Sequence, residues 1–482
     1  MKKYITTAIP YVNARPHIGH AMDYLLADIW ARYQIGQGNE VRYSAGTDEH
    51  GTKVAQKAAE NGVTPQEYVD GLYKSFTDMM DKLNVSRTDF VRTTDPDHQR
   101  RVQEIWRRLD AAGLIYKDTY EGWYCVGCEG FVTETEAKEM NYVCKDHQKP
   151  LERLSEENYY LKVSKFTNEI REFNKTAIVP AFRGKEILDL VKDGAQDVSI
   201  SRPKEKLAWG IPVPGDDTQV MYVWIDALSN YITALGYPDE NWSVDFWPAD
   251  VEVIGKDILR FHSVIWPAIL LGLGLELPKK LLVHGFVNAD GVKMSKSIGN
   301  VIDPMEIIDD YGVEAFRYFF ARHIPTFDDG DFTWEKFENA YNGELANDLG
   351  NLVSRTASMI KRYTDGTLST SEQFKYDSTE YDKAMEKFQF NLAIETAWSL
   401  VQDLNRYIEE NKPWELAKAD AKRLSEVLDY LTSGLLKVST LLHPFIPTTA
   451  DTIRKTFSGD KVGEISILFP KVYKHTAEPA KK

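Results

Sequence analysis

The hydrophobic residues near the start of the chain alternate between strand and helix spacing. Residues 4–9 form a short β-rich run that ends at Pro10, which predicts a buried strand. Apolar residues then recur at helical spacing over 18–36, and a second strand is predicted over 41–45. Helical spacing resumes over 52–59 and 65–83. This alternation predicts a doubly wound, parallel, Rossmann-like sheet, whose ligands bind at the carboxyl ends of the strands.

The alternation stops between about 116 and 160 and returns afterwards. Strand-like runs at 220–224, 251–254 and 281–286 predict that an inserted domain interrupts the sheet, which is then completed. From Trp334 the pattern predicts helices over 334–349, 350–364, 378–390, 392–411, 422–442 and 447–456. We therefore expect four segments. Residues 1–115 and 196–333 form an α/β domain, 116–195 an insertion, and 334–482 an all-α helical bundle.

Composition excludes few classes of protein. With 27% charged and 12% aromatic residues, the chain has the composition of an ordinary soluble globular protein. It contains no run of about 18 apolar residues, so no membrane helix is predicted. The 58 basic and 73 acidic side chains give a net charge of −15, but nucleic-acid binding depends on local positive fields, so this total excludes no partner. The first residues are a poor secretory signal, and we expect a cytoplasmic protein.

The first candidate site follows the first strand, where residues 16–20 read Pro-His-Ile-Gly-His. Pro16 favours a first helical turn, and Gly19 leaves room for a ligand beside the main chain. His17 and His20 share one face at the positive end of the helix, where phosphate binds readily. Two histidines at a helix start can also be simple caps or surface residues, and a metal site would need a third ligand.

A second motif, Lys-Met-Ser-Lys-Ser, occupies residues 293–297. Lys293 and Lys296 can point the same way, and two ammonium groups there would neutralise the charge of a departing pyrophosphate. Gly291 and Gly299 flank the motif and favour a loop that closes and reopens. A lysine-rich surface loop is the alternative for an isolated pair of lysines.

All three cysteines lie in the predicted insertion. Cys125, Cys128, Cys144 and His147 have the spacing Cys-x2-Cys-x15-Cys-x2-His, which suits a closed tetrahedral zinc site. A closed site has no open coordination position, so we expect one structural zinc ion per chain. No cysteine is left for a disulfide, which is consistent with a reducing compartment. The alternative is three unrelated buried cysteines and a surface histidine.

Together, in this order and separation, the two motifs resemble the ATP-handling motifs of class I aminoacyl-tRNA synthetases. Their surroundings resemble the methionyl-tRNA synthetase family along essentially the whole chain. The matching runs are Thr-Thr-Ala-Ile-Pro-Tyr-Val-Asn at 6–13, Gly-Thr-Asp-Glu-His-Gly at 46–51, Trp-Ile-Asp-Ala at 224–227, Gly-Lys-Asp-Ile at 255–258, Phe-His at 261–262 and His-Gly at 284–285. The short insertion differs from the large editing insertion of the isoleucine, valine and leucine relatives. The cysteine relative carries a cysteine near the first strand, and this chain has none before Cys125.

The resemblance implies an activity and its participants. Methionine and ATP, bound with Mg²⁺, would give methionyl-adenylate and pyrophosphate. The methionyl group would then pass to the 3′-terminal ribose of tRNA(Met), both initiator and elongator. The insertion would be a connective domain with a zinc knuckle, and the helical bundle would bind the anticodon. A monomer and no membrane partner are expected.

The resemblance also implies the residues of each site. The catalytic residues are His17, His20, Lys293 and Lys296. The ATP-binding residues are His17, Gly19, His20, Gly255, Asp257, Lys293, Ser295, Lys296 and Ser297. The methionine-binding residues are Ala8, Ile9, Tyr11, Asp48, Trp224, Ala227, Leu228, Tyr231, Ile258 and His262. Asp48 would hold the α-ammonium group, and Leu228 stands where some relatives have a proline.

Asn351, Arg355 and Trp414 match the anticodon-reading positions of the family. Such side chains read single-stranded bases by stacking and by hydrogen bonds to base edges. Without the resemblance, a capping asparagine, a surface arginine and a core tryptophan would be the preferred interpretation. Two rival functions stay open at this point. One is a small-molecule nucleotidyl-transferring enzyme that shares the first motif, and the other is a catalytically silent tRNA-binding relative.

Overall fold

The computed structural model describes residues 1–126, 130–145, 148–289, 291–293, 302–464 and 467–476. Sixteen strands lie in these ranges. They are β1 (Lys2–Thr7), β2 (Glu40–Thr47), β3 (Asp89–Arg92), β4 (Ile115–Cys125), β5 (Gly130–Val132), β6 (Glu152–Leu161), β7 (Ile178–Val179), β8 (Val198–Ser199), β9 (Ser201–Pro203), β10 (Pro212–Val213), β11 (Asp216–Met221), β12 (Val251–Gly255), β13 (Leu281–His284), β14 (Val287–Ala289), β15 (Val292–Lys293) and β16 (Gly330–Phe332).

The described ranges also contain eighteen α-helices. They are α1 (Ile18–Gly36), α2 (Thr52–Glu60), α3 (Pro65–Lys82), α4 (Pro96–Ala111), α5 (Glu134–Glu139), α6 (Thr167–Thr176), α7 (Ala181–Leu190), α8 (Val223–Thr233), α9 (Trp266–Gly272), α10 (Pro304–Tyr311), α11 (Val313–Arg322), α12 (Trp334–Ala340), α13 (Asn351–Tyr363), α14 (Thr379–Glu386), α15 (Phe390–Asn411), α16 (Pro413–Ala419), α17 (Ala421–Leu442) and α18 (Pro447–Phe457). Two π-helices, Phe261–Ile265 and Tyr341–Gly350, precede α9 and α13. Among the described helices, none combines the length and apolar character that crossing a bilayer requires.

A six-stranded sheet in the order β3-β2-β1-β12-β13-β7 forms the centre of the α/β domain. All five of its strand pairs are parallel, and Ile5 of β1 lies opposite Tyr43 of β2 and Val251 of β12. Parallel strands buried on both faces require apolar side chains on both faces, and Ile5, Tyr43 and Val253 are all fully buried. The predicted parallel Rossmann-like sheet is confirmed.

Two apolar cores cover the two faces of this sheet. One includes α1, and it continues without a break through α11 into the helical bundle. The other contains residues of α4, α6, α8 and α9. The bundle therefore shares a core with one half of the α/β domain, which fixes its position relative to the sheet.

The predicted insertion contains an antiparallel sheet in the order β5-β4-β6-β8. Its centre is the long β4–β6 pair, in which Ile115 lies opposite Leu161 and Tyr124 opposite Glu152. The insertion also returns β7 to the main sheet, where Ile178 pairs with Leu281 at the edge. A small apolar cluster under β4 contains Cys125 and Cys144.

Two of the differences between the predicted and observed elements concern their type or continuity. The strand expected over 220–224 ends at Met221, and Val223 begins α8. Nearly every residue of α8 is buried, so it lacks the polar face that would have marked it as a helix. The break expected between 349 and 350 is also absent, because Gly350 has helical dihedral angles (φ −61°, ψ −44°) and leads from the π-helix directly into α13.

Candidate active site

The candidate site lies where β1, β2, β12 and β13 end side by side. Ala8 and Ile9 follow β1, Asp48 follows β2, and Gly255 closes β12. The main-chain N–H of Ala8 donates to Val253 O (2.9 Å), which continues the sheet beyond β1. The parallel register thus brings the ends of neighbouring strands to one edge, and predicted ATP- and methionine-binding residues meet there.

His17 is the N-cap of α1 and forms a reciprocal capping box with His20. The N–H of Gly19 donates to His17 Nδ1 (3.1 Å), and the N–H of His17 donates to His20 Nδ1 (3.1 Å). Because Nδ1 of each ring accepts a hydrogen bond, the proton of each neutral imidazole is on Nε2. The rings stack with centroids 3.9 Å apart. Both histidines therefore present Nε2–H donors at the positive end of a helix, an arrangement that suits phosphate oxygens.

Gly19 has a steric role in this cap. A Cβ atom at position 19 would lie 2.9 Å from His17 Cε1, so the imidazole packs where only glycine leaves space. A Cβ atom at Gly255 would lie 2.6 Å from Asp257 Oδ1, and Asp257 itself is exposed at the sheet edge. His17 thus caps α1, as the sequence allowed, and its imidazole is also exposed.

The second motif begins at the end of a short hairpin. The backbone of Lys293 in β15 pairs with Asn288 in β14, and the N–H of Gly291 donates to Asp331 Oδ1 (2.6 Å). β14 also pairs in parallel with β16. The predicted residues Ser295, Lys296 and Ser297 lie outside the described residues.

Asp48 lies in a segment that is hydrogen-bonded to the loop after β1. Its N–H donates to Pro10 O (2.9 Å), and the N–H of Val12 donates to Asp48 O (2.9 Å). Tyr11 pairs with Asp48 in a parallel bridge, and the Tyr11 ring lies over Gly51, where a Cβ atom would come within 2.4 Å of the Tyr11 hydroxyl. Gly51 also has a φ of +113°, which favours glycine. The carboxylate of Asp48 is thereby placed beside Tyr11, with 7% of the residue exposed.

Predicted methionine-binding residues of α8 form part of an apolar wall on another side of the site. Ala8, Leu228 and Tyr231 belong to one buried cluster, against which Trp224 and Ile258 pack while half-buried. Ala227 is buried on the same helix. The rings of Trp224 and Phe261 stack with centroids 3.6 Å apart and planes within 10°. An apolar, aromatic wall of this kind suits a flexible thioether side chain.

His262 orients Tyr231 within this wall. His262 Nδ1 lies 3.0 Å from Ile258 O, an obligate acceptor, so Nδ1 carries the proton and Nε2 accepts from the Tyr231 hydroxyl at 2.7 Å. Burial lowers the pKa of His262 to about 4, which keeps the ring neutral at physiological pH. Both ring nitrogens are therefore used within the protein, and in this arrangement His262 has no N–H left for a sulfur atom.

Several buried polar residues near the site were not assigned from the sequence. His284, at the end of β13, contacts Asp23 of α1 (Nε2 to Oδ1, 2.5 Å) and the carbonyl of Gly285 (2.7 Å). Burial lowers the pKa of His284, but Asp23 and the carbonyl raise it by more, while burial raises the pKa of Asp23. Because the pKa of each group is raised, a proton is retained between His284 and Asp23. The His-Gly pair at 284–285 is among the runs that resemble the family, but the resemblance assigned no site role to His284.

Two predicted zinc ligands, Cys125 and Cys144, are buried in the cluster under β4. Cys144 begins a tight turn, because its N–H donates to Lys149 O (2.9 Å) and Gln148 N–H donates back to Cys144 O (2.8 Å). Cys128 and His147 lie outside the described residues. Within the described ranges, no group of three or more His, Cys, Asp or Glu side chains is placed to hold a metal ion.

The predicted anticodon residues lie on two helices of the bundle, α13 and α16. Asn351 begins α13, and Arg355, one turn later, forms an ion pair with Glu409 of α15 (2.7 Å). Trp414 lies on α16, five residues beyond Glu409, and is 39% exposed. The core position considered for Trp414 is therefore not the one observed.

The fold and the similarity to known protein families indicate the same class of protein. A family model described as "tRNA synthetases class I (M)" matches residues 3–357, and one described as "Anticodon-binding domain of tRNA ligase" matches residues 372–480. A parallel α/β domain with a helical domain after it, matched along this length, defines a class I aminoacyl-tRNA synthetase.

Individual relatives narrow the class to one family. The methionine–tRNA ligase of Caldanaerobacter subterraneus subsp. tengcongensis is 44% identical over 469 residues, which cover 93% of this chain and 73% of the relative. That of Brucella suis is 42% identical over 471 residues, 94% of this chain and 91% of the relative. The Mycobacterium tuberculosis methionyl-tRNA synthetase in complex with methionyl-adenylate is 35% identical, with a TM-score of 0.88 over 97% of this chain and 99% of that one. The chain belongs to the methionine–tRNA ligase family and is an aminoacyl-tRNA ligase.

Proposed function

We propose that the chain activates methionine at the carboxyl edge of the sheet and transfers it to tRNA(Met). The observation that supports this most directly is the meeting, at one edge, of the His17–His20 helix start, the Asp48 segment and the apolar wall of α8. The first suits phosphate, the second an ammonium group and the third an apolar side chain. These are the three recognition elements that an amino-acid-activating site needs.

In the first step a carboxylate oxygen of methionine attacks the α-phosphorus of ATP. The bond between the α-phosphorus and the α,β-bridging oxygen breaks. Pyrophosphate leaves, and methionyl-adenylate stays bound; Mg²⁺ bound with ATP would neutralise part of the phosphate charge. His17 and His20 donate Nε2–H to the phosphate oxygens as charge develops, and Lys293 and Lys296 neutralise the leaving group. Gly19, Gly255, Asp257, Ser295 and Ser297 complete the ATP site. Positioning and charge neutralisation supply the acceleration, because no side chain acts as a nucleophile.

In the second step a hydroxyl of the terminal ribose of tRNA attacks the carbonyl carbon of the adenylate. A carbon–oxygen bond to the ribose forms, the mixed anhydride bond breaks, and AMP leaves. Asn351, Arg355 and Trp414 are proposed to read the anticodon, and an exposed indole and a guanidinium are groups on which bases stack. We place the enzyme in the cytoplasm as a monomer.

The insertion is proposed to hold one structural zinc ion through Cys125, Cys128, Cys144 and His147. Cys125 and Cys144 are 1% and 4% exposed and belong to one small cluster, so their sulfur atoms suit a closed site. When bound, the ion would cross-link the strand end at Cys125 to the turn at Cys144. The described residues supply little apolar core here, since four of them form the buried part of this cluster.

The test is ATP–pyrophosphate exchange with each amino acid in turn, without tRNA. Exchange that depends on methionine alone is the expected result. Asp48→Asn should then raise the methionine KM at least about tenfold while leaving the ATP KM within about twofold, because it removes the charge that pairs with the α-ammonium group. Asp97→Asn, at an exposed carboxylate in α4, is the matched control and should change neither constant. Exchange with a different amino acid, or none from folded, ATP-binding protein, would contradict the proposal.

A further inference from the structure

Asp226 carries a buried carboxylate between two imidazoles on other elements. Its Oδ2 lies 2.6 Å from His50 Nδ1, and its Oδ1 lies 2.8 Å from His98 Nε2. Asp226 is 1% exposed, His50 4% and His98 3%, so the three side chains lie in the protein interior and contact one another there. Three buried polar side chains are costly compared with an apolar core, and such groups persist where their geometry is needed.

Each member of this triad comes from a different part of the site. Asp226 is in the first turn of α8, between the predicted methionine-binding residues Trp224 and Ala227. His50 is two residues after Asp48, and His98 is in the first turn of α4. Burial raises the pKa of Asp226, but the two facing imidazoles lower it by more, so the carboxylate is charged at neutral pH. The charged carboxylate thus joins the Asp48 segment to the apolar wall.

The Asp48 segment is held tightly on its other sides. Trp209 Nε1 donates to Glu49 O (2.6 Å), and the N–H of Gly51 donates to Trp209 O (3.1 Å). The N–H of Glu49 donates to Thr93 Oγ1 (2.9 Å). The main chain around Asp48 is therefore fixed to the loops on either side, while the His50–Asp226 contact (2.6 Å) connects it to α8.

We infer that Asp226, through His50, is a positioning residue that sets the distance between the ammonium anchor at Asp48 and the side-chain wall of α8. This inference rests on the proposed methionine site. A fixed distance selects amino acids by side-chain length, because a ligand one methylene too short or too long cannot satisfy both ends. His98, which also contacts Thr233 Oγ1 (2.8 Å), fixes Asp226 to α4.

The test measures methionine and ATP KM values, kcat and melting temperature for Asp226→Asn in the exchange assay. We expect the methionine KM to rise at least about tenfold, with the ATP KM within about twofold. Selectivity for methionine over S-methylcysteine and ethionine, which differ by one methylene, should fall about fivefold or more. His50→Gln should reproduce both effects, and the double variant should be no worse than the worse single variant, because both remove one contact.

Glu338→Gln is the matched control for loss of a buried carboxylate. Glu338 lies on α12 in the helical bundle and is 1% exposed. It accepts hydrogen bonds from the N–H groups of Lys474, His475 and Thr476. This variant should lower the melting temperature without changing the methionine KM or the selectivity. If Asp226→Asn does not fold, His50→Gln decides the outcome.

A methionine KM and selectivity within twofold of wild type in a folded Asp226→Asn or His50→Gln variant would overturn the inference. An equal rise in the methionine and ATP KM values would also overturn it, because that pattern marks general loss of structure. Failure of wild-type protein to exchange with methionine would instead contradict the proposed function, so the two failures are distinguishable.

Discussion

At the residue scale, the buried carboxyl group of Glu252 has an unusual position at the centre of the sheet. Glu252 is fully buried in β12, and one of its oxygens accepts a hydrogen bond from Trp266 Nε1 at 3.0 Å. The other oxygen, Oε2, has no hydrogen-bond partner among the described residues. Burial raises the pKa of Glu252 to about 8, although the indole N–H lowers it slightly. The carboxyl group is therefore protonated at neutral pH.

This pKa gives a stability prediction with a definite sign. The unfolded chain loses the Glu252 proton near pH 4.5 and the folded chain keeps it to about pH 8, so the folded state binds more protons and its stability falls as the pH rises through this window. Glu252→Gln keeps the acceptor for Trp266 and cannot ionise. We expect it to raise the free energy of unfolding by up to about 5 kcal/mol at pH 8 and by little at pH 5.

Urea unfolding at pH 5, 7 and 8 checks this prediction. Glu380→Gln, at a carboxylate that is 76% exposed, serves as the control and should show no growing difference from wild type. A Glu252→Gln difference that stays constant with pH would contradict the assignment of the proton.

At the element scale, the end of the insertion that carries Cys125 and Cys144 has a small apolar cluster of its own. Among the described residues, four buried ones form its centre, namely Cys125, Ala137, Cys144 and Leu151. A small domain with so little apolar core usually needs a metal ion or disulfide. The short helix α5 is capped by Thr133 and Glu136 in a reciprocal capping box, which stabilises the helix but adds no core.

Cys144→Ser should therefore lose the bound zinc and lower the stability of the insertion. Metal analysis after exhaustive dialysis should find about one zinc per wild-type chain and well below half of that in the variant, because three ligands hold the ion poorly. Ala137→Ser adds a hydroxyl to the same cluster without touching a proposed ligand, and it should keep one zinc. Stoichiometric zinc in Cys144→Ser would exclude Cys144 as a ligand.

At the scale of the whole molecule, one buried arginine joins the α/β domain to the helical bundle. Arg317 of α11 is fully buried and forms an ion pair with Asp28 of α1 at 2.7 Å. Its guanidinium also donates to the carbonyls of Leu83, Pro444 and Phe445. Together with the continuous core, this contact fixes the bundle to α1, whose N-terminal end carries His17 and His20. This junction therefore sets the distance between the proposed activation site at the start of α1 and the proposed anticodon-binding residues of the bundle.

Separation of the two chemical steps is the prediction at this scale. Trp414→Ala should reduce kcat/KM for tRNA aminoacylation about tenfold to a hundredfold, as expected for loss of one base–indole stack. Methionine-dependent ATP–pyrophosphate exchange should stay within about twofold of wild type, because Trp414 lies on a different domain from the sheet edge. Leu392→Ala removes a comparably exposed apolar side chain from α15 and should change neither assay. Equal loss in both assays would instead indicate a packing role for Trp414.

Local sequence determined the parts of this protein that depend on nearest neighbours. The spacing of apolar residues predicted α1 over 18–36, as observed, and the reciprocal cap of His17 and His20 follows from two histidines three residues apart at a helix start. The two motifs and the cysteine spacing could be recognised because their chemistry requires particular residue types at short separations. The family and its reaction followed from those residues.

The tertiary structure alone decided which distant residues meet. The apolar run at 220–224 has no polar face that would distinguish a strand from a helix. Its residues from Val223 onward form a helix that is buried on all sides, so packing in the folded protein decides their conformation. The contacts of Asp226 with His50 and His98 cross 176 and 128 residues, and the Arg317–Asp28 contact joins two helices that local spacing cannot relate. Such pairings depend on how elements pack, since burial makes a polar group costly until a partner from elsewhere in the chain satisfies it.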